Sequence, residues 1–367
     1  MGDEPIKTAF HDSHAAMGAS FEADGGWLWT ASFGDGAKEY DAVRNGCGVW
    51  DVSPLNKWDF SGSDAGKAAQ KINTNDVLGL SPGRVRYGGF VDDDGLLVDD
   101  GTVYKLSDDH YWVMTNLSDH TEWFAQTLKG LDVNVDYRAL QMPHLGLQGP
   151  KSGEVLSKMT DVDFAALKYF QFIPEQVKVG GVDVWLSRTG FGGEKGYELF
   201  TSPENAAQLW QSVLDAGATP FGIDAIEICR IEAGLVVTDY DYEGHQRSPY
   251  DFSMDRLVAI DKPVDFNGKA KLEEIAKNPP NRFKTLKIDG DILPEYGATV
   301  TKDGQEIGVL TSPADSPKFG KIGLAILPTD QANNGKTVDI ALEGGGRATG
   351  TVADLPIYDT NKERPRA

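Results

Sequence analysis

Two stretches of this 367-residue sequence concentrate carboxylates where chemistry is conceivable. Asp99 and Asp100 are adjacent, and taken alone such a pair caps a hairpin. The run Thr238-Asp239-Tyr240-Asp241-Tyr242-Glu243 interleaves carboxylates with tyrosines. That mixture suits a cationic methylated amine, through charge pairing plus cation–π contact, or else forms an exposed polar loop. Arg230 lies between Glu227 and Glu232, and reads equally as a site residue or as half of an ion pair.

Familiar signatures are missing. The six histidines, His11, His14, His110, His120, His144 and His245, are scattered, with no pair at a helical ligand spacing, so no metal centre is expected. The two cysteines, Cys47 and Cys229, sit in apolar company and are expected to be buried and reduced. No Walker-type phosphate loop, His-Glu-x-x-His or Gly-x-Ser-x-Gly elbow occurs. Gly344-Gly345-Gly346-Arg347 lacks dinucleotide spacing and reads as a turn, and Asp92-Asp93-Asp94 before Gly95 reads as a solvated turn.

The elements that must position these residues are mixed. Hydrophobic residues make up 40% of the chain, enough for two or three packed domains. Ser202-Pro203-Glu204 opens a helix with a capping residue, a proline and an acid, followed by Ala206, Leu209, Trp210, Val213 and Leu214 at helical spacing. Further helices are expected over His120–Leu131 and Ile223–Ala233. Strands are expected over Thr102–Leu106, Tyr111–Thr115 and Val182–Leu186. After a linker at Lys277–Asn281 the texture becomes short strands with tight turns, with a hairpin marked by Asp303-Gly304. The expected division is a region over 1–282, holding two α+β domains interleaved in sequence, and an all-β, barrel-like domain over 283–367.

Several segments, taken in order, resemble the glycine-cleavage T-protein (aminomethyltransferase) family and its demethylase relatives. They are His14-Ala15-Ala16-Met17-Gly18 with Trp27; Ala42-Val43-Arg44 with Gly48-Val49-Trp50-Asp51-Val52-Ser53; and Asn75-Asp76-Val77 with Tyr87 and Gly95-Leu96-Leu97-Val98-Asp99-Asp100. Gln148-Gly149-Pro150, Thr189-Gly190-Phe191-Gly192-Gly193-Glu194-Lys195-Gly196-Tyr197-Glu198, Arg230-Ile231-Glu232-Ala233-Gly234 and Ser316-Pro317 with Gly323-Leu324-Ala325 continue the series. The resemblance spans nearly the whole chain. It implies an α+β, three-domain clover-leaf fold around a central folate channel, with the last domain all-β.

The resemblance also assigns roles. Glu198 takes the position whose carboxylate accepts two parallel bonds from the pterin edge of tetrahydrofolate. Asp99 takes the position of the catalytic carboxylate beside the reactive folate nitrogens. Tyr87, Asn116 and Phe191 match positions lining the folate channel, Phe191 standing where the family often has tyrosine, and Arg230 is a further candidate there. Trp27, Asp239, Tyr240 and Arg256 are candidates for the substrate side. The stretch after Gly234 departs from the family's usual Tyr-Gly-Gln-Glu-Met-like run, and Arg256 stands where tryptophan is common.

Three functions follow as expectations. The first is a tetrahydrofolate-dependent transferase taking a methyl or methylene group from a small methylated amine, ether or sulfonium. The second is the glycine-cleavage T-protein, taking an aminomethyl group from a lipoyl carrier protein. The third is a folate-binding regulator without turnover. The departures after Gly234 favour the first over the second, as does a net charge of −21, which repels an acidic carrier. The same charge disfavours nucleic acid and anionic membranes as partners. No apolar run reaches membrane-spanning length, and Met1-Gly2-Asp3-Glu4-Pro5 lacks the features of a secretory signal, so a cytoplasmic location is expected.

Overall fold

The computed structural model describes residues 4–163 and 166–367; the opening residues 1–3 considered above lie outside it. Three β-systems organise the chain. A six-stranded sheet runs in the order Val177–Val179, Val182–Ser187, Gly196–Phe200, His144–Gln148, Gly48–Asp51 and Thr219–Pro220. Its strands Gly48–Asp51 and His144–Gln148 are buried at every position, as central strands covered on both faces must be. A five-stranded antiparallel sheet runs Arg84–Val91, Leu97–Ser107, His110–Thr115, Asn56–Ser61 and Asn134–Tyr137. The third system is a closed barrel of strands Asn281–Asp289, Gly320–Pro328, Gln305–Ser316, Ala298–Lys302, Thr337–Leu342 and Gly346–Ala353. A small sheet of Ile6–Lys7, Trp27–Ser32 and Ser20–Asp24 packs near the N-terminus.

The strands expected from the sequence fall inside Leu97–Ser107, His110–Thr115 and Val182–Ser187. Asp303-Gly304 joins Ala298–Lys302 to Gln305–Ser316, and Gly344 and Gly345 lie in the turn before the last barrel strand. Cys47 and Cys229 are buried free thiols.

Three local expectations change. The helix expected from His120 is shorter, Thr121–Thr127, and His120 stands outside it because its ring is drawn onto Asp99. The segment after Ser202 starts as a 3-10 turn, Pro203–Asn205, before the α-helix Ala206–Asp215, and Ser202 makes no capping bond to a helix N–H. His11 and His14 do share one turn of the helix His11–Ala16. Nδ1 of His14 is 2.7 Å from Thr30 Oγ1, while the His11 ring lies tilted against Phe21 with 4.4 Å between ring centroids.

Two buried ionic clusters tie the systems together. Arg44, on the helix Gly36–Asn45, donates from Nε and Nη2 to Glu232 Oε2 at 2.8 and 2.6 Å, and from Nη1 to Glu194 at 3.2 Å. Tyr40 and the barrel's Ser316 donate to the other Glu232 oxygen at 2.7 and 2.5 Å. The second cluster centres on Arg230, which is fully buried and bonds Glu227, Asp241 (2.7 Å) and the barrel's Ser312 (2.7 Å). Since each buried cation meets carboxylates and oxygens in good geometry, desolvation is offset and the helix Ile223–Glu232 is pinned to the barrel.

Candidate active site

The strand Leu97–Ser107 carries one end of the site. Asp99 is wholly enclosed there, and both of its oxygens are engaged. Oδ1 accepts from Asn116 Nδ2 at 2.6 Å, from the Asp100 N–H at 2.8 Å and from Thr238 Oγ1 at 2.9 Å. Oδ2 accepts from the Asn116 N–H at 3.1 Å and pairs with His120 Nε2 at 2.7 Å. Asn116 follows the strand His110–Thr115 directly, so its backbone and side chain both reach the neighbouring strand.

Asp100 faces a second set of partners. Tyr242 and Tyr87 donate to its two oxygens at 2.6 and 2.7 Å, and Thr238 Oγ1 lies 3.4 Å away. Burial, with the charge of Asp99 next to it, pushes the Asp100 carboxyl up to about 7. The raised carboxyl belongs to Asp100, which two tyrosine hydroxyls hold in place.

The other end lies on the strand Gly196–Phe200. Glu198 Oε2 accepts from Tyr104 at 3.0 Å and from Thr189, while Oε1 receives no hydrogen bond among the described residues. Glu198 keeps part of its surface accessible. Burial raises its carboxyl; Thr189, Tyr104 and Lys57 pull it back down. Lys57 is itself buried, donates to the carbonyls of Ser53 and Leu55 at 2.8 Å, and is depressed to about 7 by burial. The preceding loop is rich in glycine for a packing reason. A Cβ on Gly190 or Gly196 would lie 2.3 or 2.5 Å from the Gln148 amide.

Tyr104 links the two ends. It stands on the same strand as Asp99, five residues on, which is about 16 Å along an extended chain. One strand therefore carries the catalytic candidate and a residue that grips the binding candidate.

The remaining predicted residues divide. Tyr87 and Asn116 join the Asp99–Asp100 network. Asp239 borders it, since Asp99 raises its carboxyl after burial, and it adopts a left-handed φ of 71°. Tyr240 is exposed, 5.8 Å from the ring of Tyr296. Trp27 is buried in a cluster with Val43, Trp50 and Ile226, against which Phe191 packs. Arg230 is committed to the ionic cluster with Glu227 and Asp241, which leaves it no free donor direction of the kind a ligand contact needs. Arg256 is exposed on the turn Asp255–Leu257, where it helps depress the ammonium of Lys362, and it makes no contact with Asp99 or Glu198.

The alternating run after Gly234 is not a cage. Asp241 turns inward to Arg230 and Thr311, and Tyr242 turns inward to Asp100, while Asp239, Tyr240 and Glu243 face outward. His120 and Tyr104 carry no signal in the sequence as parts of the site. Thr189 carries one only as the first residue of the glycine-rich element, and Thr238 and Tyr242 only as members of the run after Gly234.

Comparison with known proteins places this arrangement. Residues 10–262 match the GCVT N-terminal domain, and residues 281–359 match the glycine cleavage T-protein C-terminal barrel domain. An aminomethyltransferase of Saccharopolyspora erythraea is 32% identical, over 97% of this chain and 99% of that protein. One from Geobacillus kaustophilus is 33% identical over 96% and 98%. The crystal structure of the glycine cleavage system aminomethyltransferase T from Bartonella henselae superposes with a TM-score of 0.87 at 24% identity, covering 97% of this chain and 98% of that one, which establishes the shared fold. The sequence, the barrel that closes it and the full-length match agree: the chain belongs to the glycine cleavage T-protein family.

Proposed function

We propose that this protein is a tetrahydrofolate-dependent aminomethyltransferase that takes the one-carbon unit from an aminomethyl group carried on the lipoyl arm of a partner protein. Support comes from relatives named for that activity, matched over almost their entire length. It comes also from the pairing of a fully braced carboxylate on one strand with a half-engaged one on another, the second held by Tyr104 of the first strand. That pairing is the observation that carries the reading.

The residues present suit a folate. Glu198 offers an unengaged, accessible oxygen beside one already held by Tyr104 and Thr189, the arrangement needed to accept from a pterin's adjacent N–H donors. Tetrahydrofolate, when bound, supplies the nitrogen that accepts the carbon. Asp99 holds a fixed negative charge near which a cationic carbon or nitrogen is stabilised, and His120 fixes the orientation of its Oδ2. In the overall exchange the carbon leaves sulfur and nitrogen, the thiol and ammonia depart, and a methylene unit remains on the folate.

A second reading rests on one observation. Asp239 and Tyr240 lie outward beside the Asp99 network, where a small methylated ammonium would meet both charge and ring. Incubation with tetrahydrofolate and either an aminomethyl-lipoyl carrier or free methylated amines, read by mass as methylene- or methyl-tetrahydrofolate, decides between them. Methylene product that requires the carrier supports the aminomethyl reading. Product from free amines alone overturns it.

A further inference from the structure

Lys57 is the buried cation that the proposed chemistry leaves without a task. It stands on the strand Asn56–Ser61 and is 1% exposed, where an ammonium is costly to keep. Arg44 and Arg230, in the same interior, each meet carboxylates. No carboxylate side chain lies within ion-pairing distance of Lys57 among the described residues. Its Nζ donates instead to two main-chain carbonyls, those of Ser53 and Leu55, at 2.8 Å each. These bonds fix the ammonium in place and neutralise none of its charge.

The strand register sets that fixed charge beside Glu198. Ser53, whose carbonyl holds Nζ, also accepts through Oγ from the His144 N–H at 3.1 Å. His144 opens the strand His144–Gln148 opposite Phe200, and Gly146, two residues on, lies opposite Glu198. These four positions share one face of the sheet, and the His144 ring stacks on Phe200 with 4.5 Å between centroids. Lys57 and Glu198 act on each other: burial raises the carboxyl and the ammonium pulls it back, while burial lowers the ammonium and Asp51 and Glu198 pull it back. His144 also faces Lys57, and burial, followed by that neighbouring cation, keeps its imidazole neutral. Glu198 is faced besides by Tyr104 and Thr189, which donate to it, and by Tyr169, whose hydroxyl is raised by burial and then by the charge of Glu198. Lys57 is the cation of this set.

We propose that Lys57 is a positioning residue for tetrahydrofolate, its ammonium holding Glu198 in the carboxylate form that accepts the pterin's donors. The inference rests on the folate reading above and adds a second group to the pterin grip. A protonated Glu198 would turn a hydroxyl toward a ligand edge made of donors, and the two parallel bonds would be lost. A direct ion pair would occupy the oxygen that the ligand needs. A cation held back by main-chain carbonyls favours the carboxylate and leaves that oxygen open.

Calorimetry of tetrahydrofolate binding across the range from pH 5.5 to 8.5, on wild type and Lys57→Met, tests it. Binding that needs an ionised Glu198 fades as pH falls, and removing the ammonium should move the fade to higher pH. At pH 6 Lys57→Met should therefore bind about tenfold more weakly than wild type. At pH 8.5 the wild-type amine, depressed to about 7, has lost its own proton, and the two proteins should agree within about twofold. A loss of the same size at every pH would reduce Lys57 to a prop for the Ser53 and Leu55 carbonyls and overturn the proposal, as would no loss at all. A reciprocal measurement leaves Lys57 in place and so does not depend on the folding of Lys57→Met. The Lys57 ammonium, followed by NMR of isotope-labelled lysine side chains, should titrate at lower pH in Glu198→Gln than in wild type, since the charge that favours it is gone. An unchanged midpoint would overturn the proposal. No uptake of tetrahydrofolate by wild type at any pH would remove the folate reading and this inference together, whereas normal wild-type uptake with an unmoved profile in the variant removes the inference alone.

Discussion

The two carboxylates at the ends of the site differ in one decisive respect. Asp99 has five donors on its two oxygens and no accessible surface. Glu198 has two donors on one oxygen and an accessible remainder. A group braced on every side is suited to holding charge in a fixed place as a reaction proceeds. A group with one side open is suited to receiving a ligand's donors. The contrast in geometry runs the same way as the roles proposed for the two residues.

Experiments that break this contrast come first by size. Asp99→Ala should lower turnover by roughly 10²–10⁴-fold, the range for removing a positioned acid–base or electrostatic group, with folate affinity nearly unchanged. Steady-state rates against calorimetric affinity separate the two quantities. Glu198→Gln should do the reverse, weakening folate binding by about 10–100-fold while turnover at saturation is largely kept. Were the two variants to show the same pattern, the division of labour would be wrong.

Arg230→Met sharpens the comparison by probing a charge assigned to structure. Removing one partner of a buried ionic cluster costs about 3–5 kcal/mol, so the melting temperature should fall sharply. A normal melting temperature with impaired folate binding would return Arg230 to the site. Thr238→Val removes one donor from Asp99 and should slow turnover by about tenfold, in line with one lost charge-assisted bond. The conservative Thr238→Ser should restore it.

A last test concerns Asp100. Its carboxyl is raised in the folded protein from an ordinary 3.8 to about 7. Between those values the folded state holds a proton that the unfolded chain has released, so this group's contribution makes stability fall as pH rises. Asp100→Asn removes the titration. Its melting temperature relative to wild type should therefore drift upward from pH 4 to pH 7, and a constant offset would contradict the raised Asp100 carboxyl.

The sequence exposed the binding and catalytic candidates because each sits inside a contiguous element. Asp99 closes a turn-and-strand motif, and Glu198 ends a glycine-rich one. What supports them was hidden by distance. Thr238 reaches Asp99 across 139 positions and Tyr242 reaches Asp100 across 142, so no local spacing announces either contact. His120 looked like the start of a helix, and its role appears only once the strand carrying Asp99 is beside it. The alternating run Asp239–Glu243 misled for the opposite reason. Its regular appearance suggested one cation-binding face, whereas the chain turns tightly there and sends the adjacent residues Asp241 and Tyr242 to different partners. Arg256, placed on the substrate side by the resemblance, stands exposed on a 3-10 turn.

The most direct test is calorimetry of tetrahydrofolate binding to wild type, Asp99→Asn and Glu198→Gln under one set of conditions. The account predicts saturable one-site uptake by wild type, nearly equal affinity for Asp99→Asn, and a loss of at least about tenfold for Glu198→Gln. Wild-type affinity retained by Glu198→Gln, or no uptake by any of the three, would contradict it.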